Sequence, residues 1–154
     1  MKSAHILLVE DNEGDIFLTL EALKESEVET EVSIARDGQE ALDFIFKNEG
    51  FEHQTTPDLI ILDVNLPKKS GHEVLYELKQ DSVYKKIPVV ILSTSSSIKD
   101  INLSYDNYAN CYITKPTEVA DFLKTIASIQ NYWFETASLP VDKFLASTYI
   151  ESKG

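Results

Sequence analysis

The sequence predicts an α/β protein, a doubly wound five-stranded parallel sheet with helices on both faces. Three observations carry this. Short apolar runs alternate with segments of helical period along the chain. The runs "ILLV", "LIIL" and "VVIL" are continuous rather than alternating, as strands covered on both faces must be. The 154 residues are the length of one domain, enough to bury a single substantial core.

The elements follow in order. "AHILLVE" reads as a strand, and "GDIFLTLEALKES" as a helix with Ile16, Phe17, Leu20 and Leu23 on one face and Asn12 as its N-cap. "EVSIA" is a second strand. "DGQEALDFIFKNE" is a helix opened by Asp37 and Glu40 at capping-box spacing, with Ala41, Leu42, Ile45 and Phe46 facing inward. "LIIL" is the third strand, and "SGHEVLYELKQ" a helix with a second box at Ser70 and Glu73. "PVVILS" is the fourth strand. "SIKDINLSYDNYA" is a weaker helix whose Ile98, Ile101, Tyr105 and Tyr108 share one stripe. "CYIT" is a short fifth strand, and "EVADFLKTIASIQNYWFETA" a long final helix. No repeat, low-complexity tract or linker interrupts the pattern.

Composition excludes several classes of function. A formal net charge of −12 argues against nucleic acid as a direct partner, because phosphate binding needs clustered Lys and Arg. It equally disfavours an anionic membrane surface. The lone Cys111 allows neither an internal disulfide nor a thiolate metal cluster, and reads as a small buried hydrophobe. "MKSAHILLVEDN" lacks the pattern of a signal peptide and no apolar run is long enough to span a bilayer, so a cytoplasmic protein is expected.

In doubly wound sheets, sites form beyond the carboxyl ends of the strands. Here the first strand ends in Glu10 and Asp11, the third in Asp63, the fourth in Ser93 and Thr94, and the fifth in Thr114, Lys115 and Pro116. Carboxylates converging on one rim repel each other and raise a pKa, and a hard divalent cation relieves that. Mg²⁺ suits such a site. His5, His53 and His72 lie on unrelated elements and make no zinc site, and His72 reads as solvated. A carboxylate flanked by a cation and a lysine is set up to accept a phosphoryl group. Asp63 is the nucleophile in this reading. Glu10 and Asp11 hold the metal, and the Asn65 backbone carbonyl completes its coordination.

"LLVEDN", "LIILDVNLPKKSGHEVL", "PVVILSTS" and "YITKP" together resemble the four signature stretches of the response-regulator receiver domains of two-component signalling, in the family's chain order. The resemblance spans roughly residues 4 to 130. It implies the strand order 2-1-3-4-5 of the flavodoxin-like and CheY-like folds. It also implies that Asp63 accepts the phosphoryl group of a histidine kinase phosphohistidine and that Lys115 contacts the acyl phosphate. Asp11 then ligates Mg²⁺ directly, and Glu10, where many members carry Asp, acts through water. Ser93 takes the place of the switch hydroxyl, with Thr94 the alternative if the strand slips by one residue. Tyr112 matches the aromatic that turns inward on activation. The Lys115–Pro116 bond resembles a cis peptide of the family. Asn65 and Ser95 flank the path of the water that ends the phosphoryl lifetime. The readout surface is the fourth helix, fifth strand and fifth helix. Such a protein is no metabolic enzyme, although it supports its own phosphorylation and autodephosphorylation.

Residues 1–138 are expected to form the receiver domain with an extended final helix, and 139–154 a C-terminal tail without an output domain. Tyr132, Trp133, Phe134 and Leu139 form a dense apolar group with little core left to enter, which marks an interface. "FLKTIASIQNYWFETASLP" resembles the long last helix of the regulators associated with bacterial phytochromes. That implies a homodimer, and a sensor histidine kinase such as a bacterial phytochrome upstream.

Bland readings stand beside these. Asp63 alone could be a strand stop, Glu10 and Asp11 a helix N-terminal charge pair, Ser93 part of a polar turn, and Tyr112 a static core aromatic. The convergence of acids, hydroxyl and lysine at matching strand ends favours function. Three rivals fit less well. An aspartyl phosphohydrolase commonly carries a second Asp where Asn65 stands. A pseudo-receiver would have lost Asp63, Lys115 or an N-terminal acid. A flavin-binding protein would need a phosphate-cradling loop where "EDNEGD" stands. A phosphorelay intermediate remains the alternative within the family.

Overall fold

The computed structural model describes residues 3–141. The expected tail from 139 onward therefore lies largely outside the described residues. Five strands, β1 (Ala4–Val9), β2 (Thr30–Ala35), β3 (Leu59–Leu62), β4 (Val89–Ser93) and β5 (Cys111–Thr114), form one sheet in the order β2-β1-β3-β4-β5. All pairs are parallel, and the crossovers are α1 (Glu13–Lys24), α2 (Gly38–Phe46), α3 (Gly71–Gln80) and α4 (Ile98–Asp106). Helix α5 (Val119–Asn131) closes the fold. Every residue of β3 and β4 is buried, which explains their unbroken apolar runs.

Alternation of side chains along the strands divides the core into two layers. Leu7, Val9, Ile60, Leu62, Val89 and Ile91 pack with Leu42, Ile45, Val74 and Leu78 of α2 and α3 on one face. Ile6, Leu8, Ile61, Val90 and Leu92 pack with Ile16 and Leu23 of α1 and with Phe122, Ile126 and Ile129 of α5 on the other.

The helix starts stand where the sequence places them. Asn12 accepts from the Asp15 amide and caps α1, and Ser70 and Glu73 form the full reciprocal box of α3. The box at α2 is half formed: Asp37 accepts from the Glu40 amide, while the Glu40 carboxylate accepts from Arg36.

Several expectations are corrected. On α1 the inward face is Ile16, Thr19, Ala22 and Leu23, and Phe17 is 61% exposed, because neighbours one residue apart lie about 100° around a helix. The stripe expected on α4 is only partly covered: Ile98 and Tyr105 are exposed, Ile101 is half-buried, and the inward residue is Ser104, while Tyr108, also exposed, lies beyond the end of the helix. Helix α5 stops at Asn131 and continues as a π-helical turn, Tyr132–Thr136. There Trp133 and Phe134 pack onto the α1–α5 layer, so of the three neighbouring aromatics only Tyr132 is exposed. No cis peptide occurs among the described residues, so Lys115–Pro116 is trans, the isomer favoured by about 0.5–1 kcal/mol before proline.

Candidate phosphoacceptor and cation site

The site is built by backbone. The Asp63 amide donates to Val9 O (3.0 Å), which extends the β1–β3 ladder by one residue and delivers the Asp63 carboxylate just past the strand end. The Lys115 amide donates to Ser93 O (2.7 Å) and does the same for β5 against β4. Beyond Asp63 the chain turns back through Gly71, whose amide donates to Val64 O (2.9 Å). A Cβ on Gly71 would lie 2.1 Å from Asp63 O, so only glycine lets α3 begin this close.

Three carboxylates, Glu10, Asp11 and Asp63, each place an oxygen within 4.8 Å of the others. Glu10 and Asp63 are buried and Asp11 is exposed. Burial pushes the Glu10 carboxyl up; the Lys115 hydrogen bond opposes this and the Asp63 charge adds to it, leaving the group at about 7. An all-oxygen set of crowded acids, one of them open to solvent, fits a hard divalent cation.

Lys115, itself buried, lies across this cluster. Its ammonium donates to Glu10 Oε2 (2.7 Å), Asp15 Oδ2 (2.8 Å) and Asp63 Oδ2 (3.0 Å). Burial opposes its charge, but the hydrogen bonds to Asp15, Glu10 and Asp63 outweigh that and hold its pKa above the ordinary lysine value. Asp63 Oδ1 accepts from the Asn65 amide (3.1 Å), and the Asn65 residue is exposed.

Ser93 is fully buried at the end of β4, where its hydroxyl accepts from the Ser95 amide (3.3 Å); Thr94 is exposed. Tyr112 is half-buried against the α2–α3 layer and donates its hydroxyl to Ser95 O (2.7 Å), while its amide donates to the Tyr105 hydroxyl (3.0 Å). Thus every residue expected at the site stands on the same rim, and Tyr112 joins it through Ser95.

One participant is not apparent in the sequence. Asp15, in the first turn of α1, is a third acid on Lys115; the Asn12 cap, which accepts from the Asp15 amide, is the signal that fixes its position. Away from the site, His72, expected in solvent, pairs through Nε2 with the Oγ of buried Ser104 (3.0 Å), tying α3 to α4.

Residues 6–127 match the response regulator receiver domain. The chain belongs to that family. The receiver is 45% identical over 135 residues to response regulator Rcp1 of Synechocystis sp., a match covering 88% of this chain and 92% of that one. Its fold matches the crystal structure of the phosphorylated cyanobacterial phytochrome response regulator RcpA with a TM-score of 0.89 at 46% identity, covering 91% of this receiver and all of RcpA. The Mn²⁺-bound form of Rcp1 matches with a TM-score of 0.87 at 44% identity, covering 90% and 99% of the two chains. Membership also accounts for the parallel sheet order. No helix among the described residues is long and apolar enough to cross a membrane.

Proposed function

We propose that this receiver is a phosphorylation-operated switch in which Asp63 accepts a phosphoryl group from the phosphohistidine of a sensor histidine kinase. The observation that carries the reading is the single ammonium of Lys115 bridging Asp63 and Glu10 beside a cluster of three carboxylates. Glu10, Asp11, Asp63 and the backbone oxygen of Asn65 would hold Mg²⁺, which would supply neutralising charge for the transferring group. An Asp63 oxygen attacks phosphorus while the P–N bond to the kinase histidine breaks. Lys115 then exchanges its bond to Asp63 for one to a phosphoryl oxygen.

The added charge and acceptor oxygens draw the Ser93 hydroxyl toward them. Tyr112, half-buried and bonded to the segment that follows Ser93, takes up the change, with Thr94 the alternative hydroxyl. The readout is the face of α4, β5 and α5, where Ile98, Leu103, Tyr105, Tyr108 and Val119 are exposed. Asn65 and Ser95 border the water path of autodephosphorylation. Likeness to phytochrome response regulators supports a bacterial phytochrome as the kinase and a cytoplasmic site of action. The exposed apolar side chains of that face, together with exposed Tyr132 and half-buried Leu139 of the extension, support a homodimer.

The test is intact mass after incubation with acetyl phosphate and Mg²⁺. A labile gain of one phosphate, absent with EDTA and in Asp63→Asn, is expected; a normal gain in Asp63→Asn overturns the site.

A further inference from the structure

The three N–H donors of Lys115 are all spent on carboxylates: Glu10, Asp15 and Asp63. Two of those three partners belong to the acid cluster that fits a cation. Asp15 does not. It stands at the third position of α1, where Asn12 accepts its amide proton (2.9 Å) and Thr19 donates its hydroxyl to its carbonyl (2.7 Å). Its side chain is 27% exposed, against 5% for Glu10 and 8% for Asp63, so it approaches the ammonium from the solvent side.

The pull on Lys115 is therefore divided. A cation held by Glu10 and Asp63 would compete with the ammonium for the same two carboxylates, and like charges on one pair of carboxylates oppose each other. An anchor outside the cluster lets Lys115 slacken its hold on Glu10 and Asp63 without leaving the rim. Without it, the buried ammonium has only the cluster to bind, and the cation must displace it.

We propose that Asp15 is a positioning residue for Lys115: it holds the ammonium from outside the acid cluster and so frees Glu10 and Asp63 for the divalent cation. The proposal rests on the reading of this rim as a cation-assisted phosphoacceptor site. It involves no contact between Asp15 and the cation.

Calorimetric titration of the full chain with Mg²⁺ tests it in two backgrounds. In the native background Asp15→Asn weakens Mg²⁺ binding by about tenfold, the scale of one charge-assisted hydrogen bond. In a Lys115→Gln background the same substitution changes affinity by less than about twofold, because Asp15 acts through Lys115. Asp15→Glu, which keeps the carboxylate, restores affinity to within about threefold of native, a readout that loss of helix structure would not give. Equal weakening in both backgrounds means that the Asp15 charge acts on the cation through space, and overturns the proposal. So does an Asp15→Asn protein, folded by circular dichroism, that binds Mg²⁺ as the native chain does. A native chain that binds no Mg²⁺ overturns the site reading itself.

Discussion

Replacing Lys115 by Met probes the site in the absence of any cation. The substitution roughly preserves the volume of the side chain but leaves the Glu10 and Asp63 carboxylates, 5% and 8% exposed, without their counter-ion. Stripping one partner from a buried ion pair costs about 3–5 kcal/mol when the orphaned group stays charged. Here the cost depends on pH. Glu10 has its folded pKa raised to about 7 from 4.5, so the native state holds a proton that the unfolded chain has released between those values. Stability therefore falls as pH rises through that window. Without Lys115 the pKa rises further, and the fall continues above pH 7. Lys115 contributes no slope of its own here, since its pKa is raised and its unfolded value is about 10.4. The variant should lose about 2 kcal/mol more at pH 8.5 than at pH 6, where Glu10 is protonated in both proteins. At about 2–4 °C per kcal/mol that difference is a Tm drop larger by about 4–8 °C at the higher pH. Urea denaturation in EDTA at both pH values reads it. A variant as stable as the native protein at pH 8.5, or a loss independent of pH, refutes the reasoning.

Other perturbations separate the remaining parts. Gly71→Ala drives a Cβ to 2.1 Å from Asp63 O, so it should cost at least about 3 kcal/mol in chemical denaturation and weaken Mg²⁺ binding. Ser104→Ala removes the buried partner of His72 and the donor to Asp100 O (2.8 Å), a loss of about 1–2 kcal/mol in urea, with cation affinity unchanged. Tyr132→Ala removes a side chain that is 54% exposed, so it should leave stability within about 0.5 kcal/mol while shifting sedimentation toward monomer.

The strands and the rim were legible because both follow from local rules. A fully buried strand must be continuously apolar, and a parallel sheet puts all of its carboxyl ends on one side. Glu10, Asp63, Ser93 and Lys115 follow those runs directly, so finding the runs found the residues. Asp15 was illegible for the opposite reason. It stands five residues after Glu10 on a helix, and only the cap geometry turns it toward Lys115. Periodicity likewise tells which residues share a face, and not whether that face is covered. The α4 stripe is therefore largely exposed, while Ser104, which reads as an interruption of that stripe, is the residue turned inward. Phe17 lost its inward place to Thr19, whose hydroxyl is satisfied by Asp15 O. A side chain that carries its own hydrogen bond into the core is not excluded by polarity. On the sequence, Trp133 and Phe134 belong to an interface patch because the preceding helices leave little core to enter; the π-helical turn instead brings them onto the α1–α5 layer.

The manner in which the two halves of the molecule are held bears on where a new charge at Asp63 would be absorbed. On the sheet side, Asp63 and Lys115 are pinned by backbone bonds to Val9 and Ser93 that continue the β ladders. Moving either residue breaks a ladder. On the α4 side the connections run through side chains. Ser95 Oγ donates to Asp100 (2.6 Å), Tyr112 donates its hydroxyl to Ser95 O, and His72 pairs with Ser104. Each of these exchanges for another partner, or for water, at a net cost of about 1 kcal/mol. The segment Thr94–Ser97 between β4 and α4 lies outside the sheet. On the proposed function, phosphoryl charge at Asp63 would be met by a rigid carboxylate and lysine on one side and by a chain of exchangeable hydrogen bonds on the other. The softer side would move, and it is the side that carries Ile98, Tyr105 and Tyr108 into solvent. A switch built this way would report at α4 without disturbing the carboxylates proposed to hold the cation.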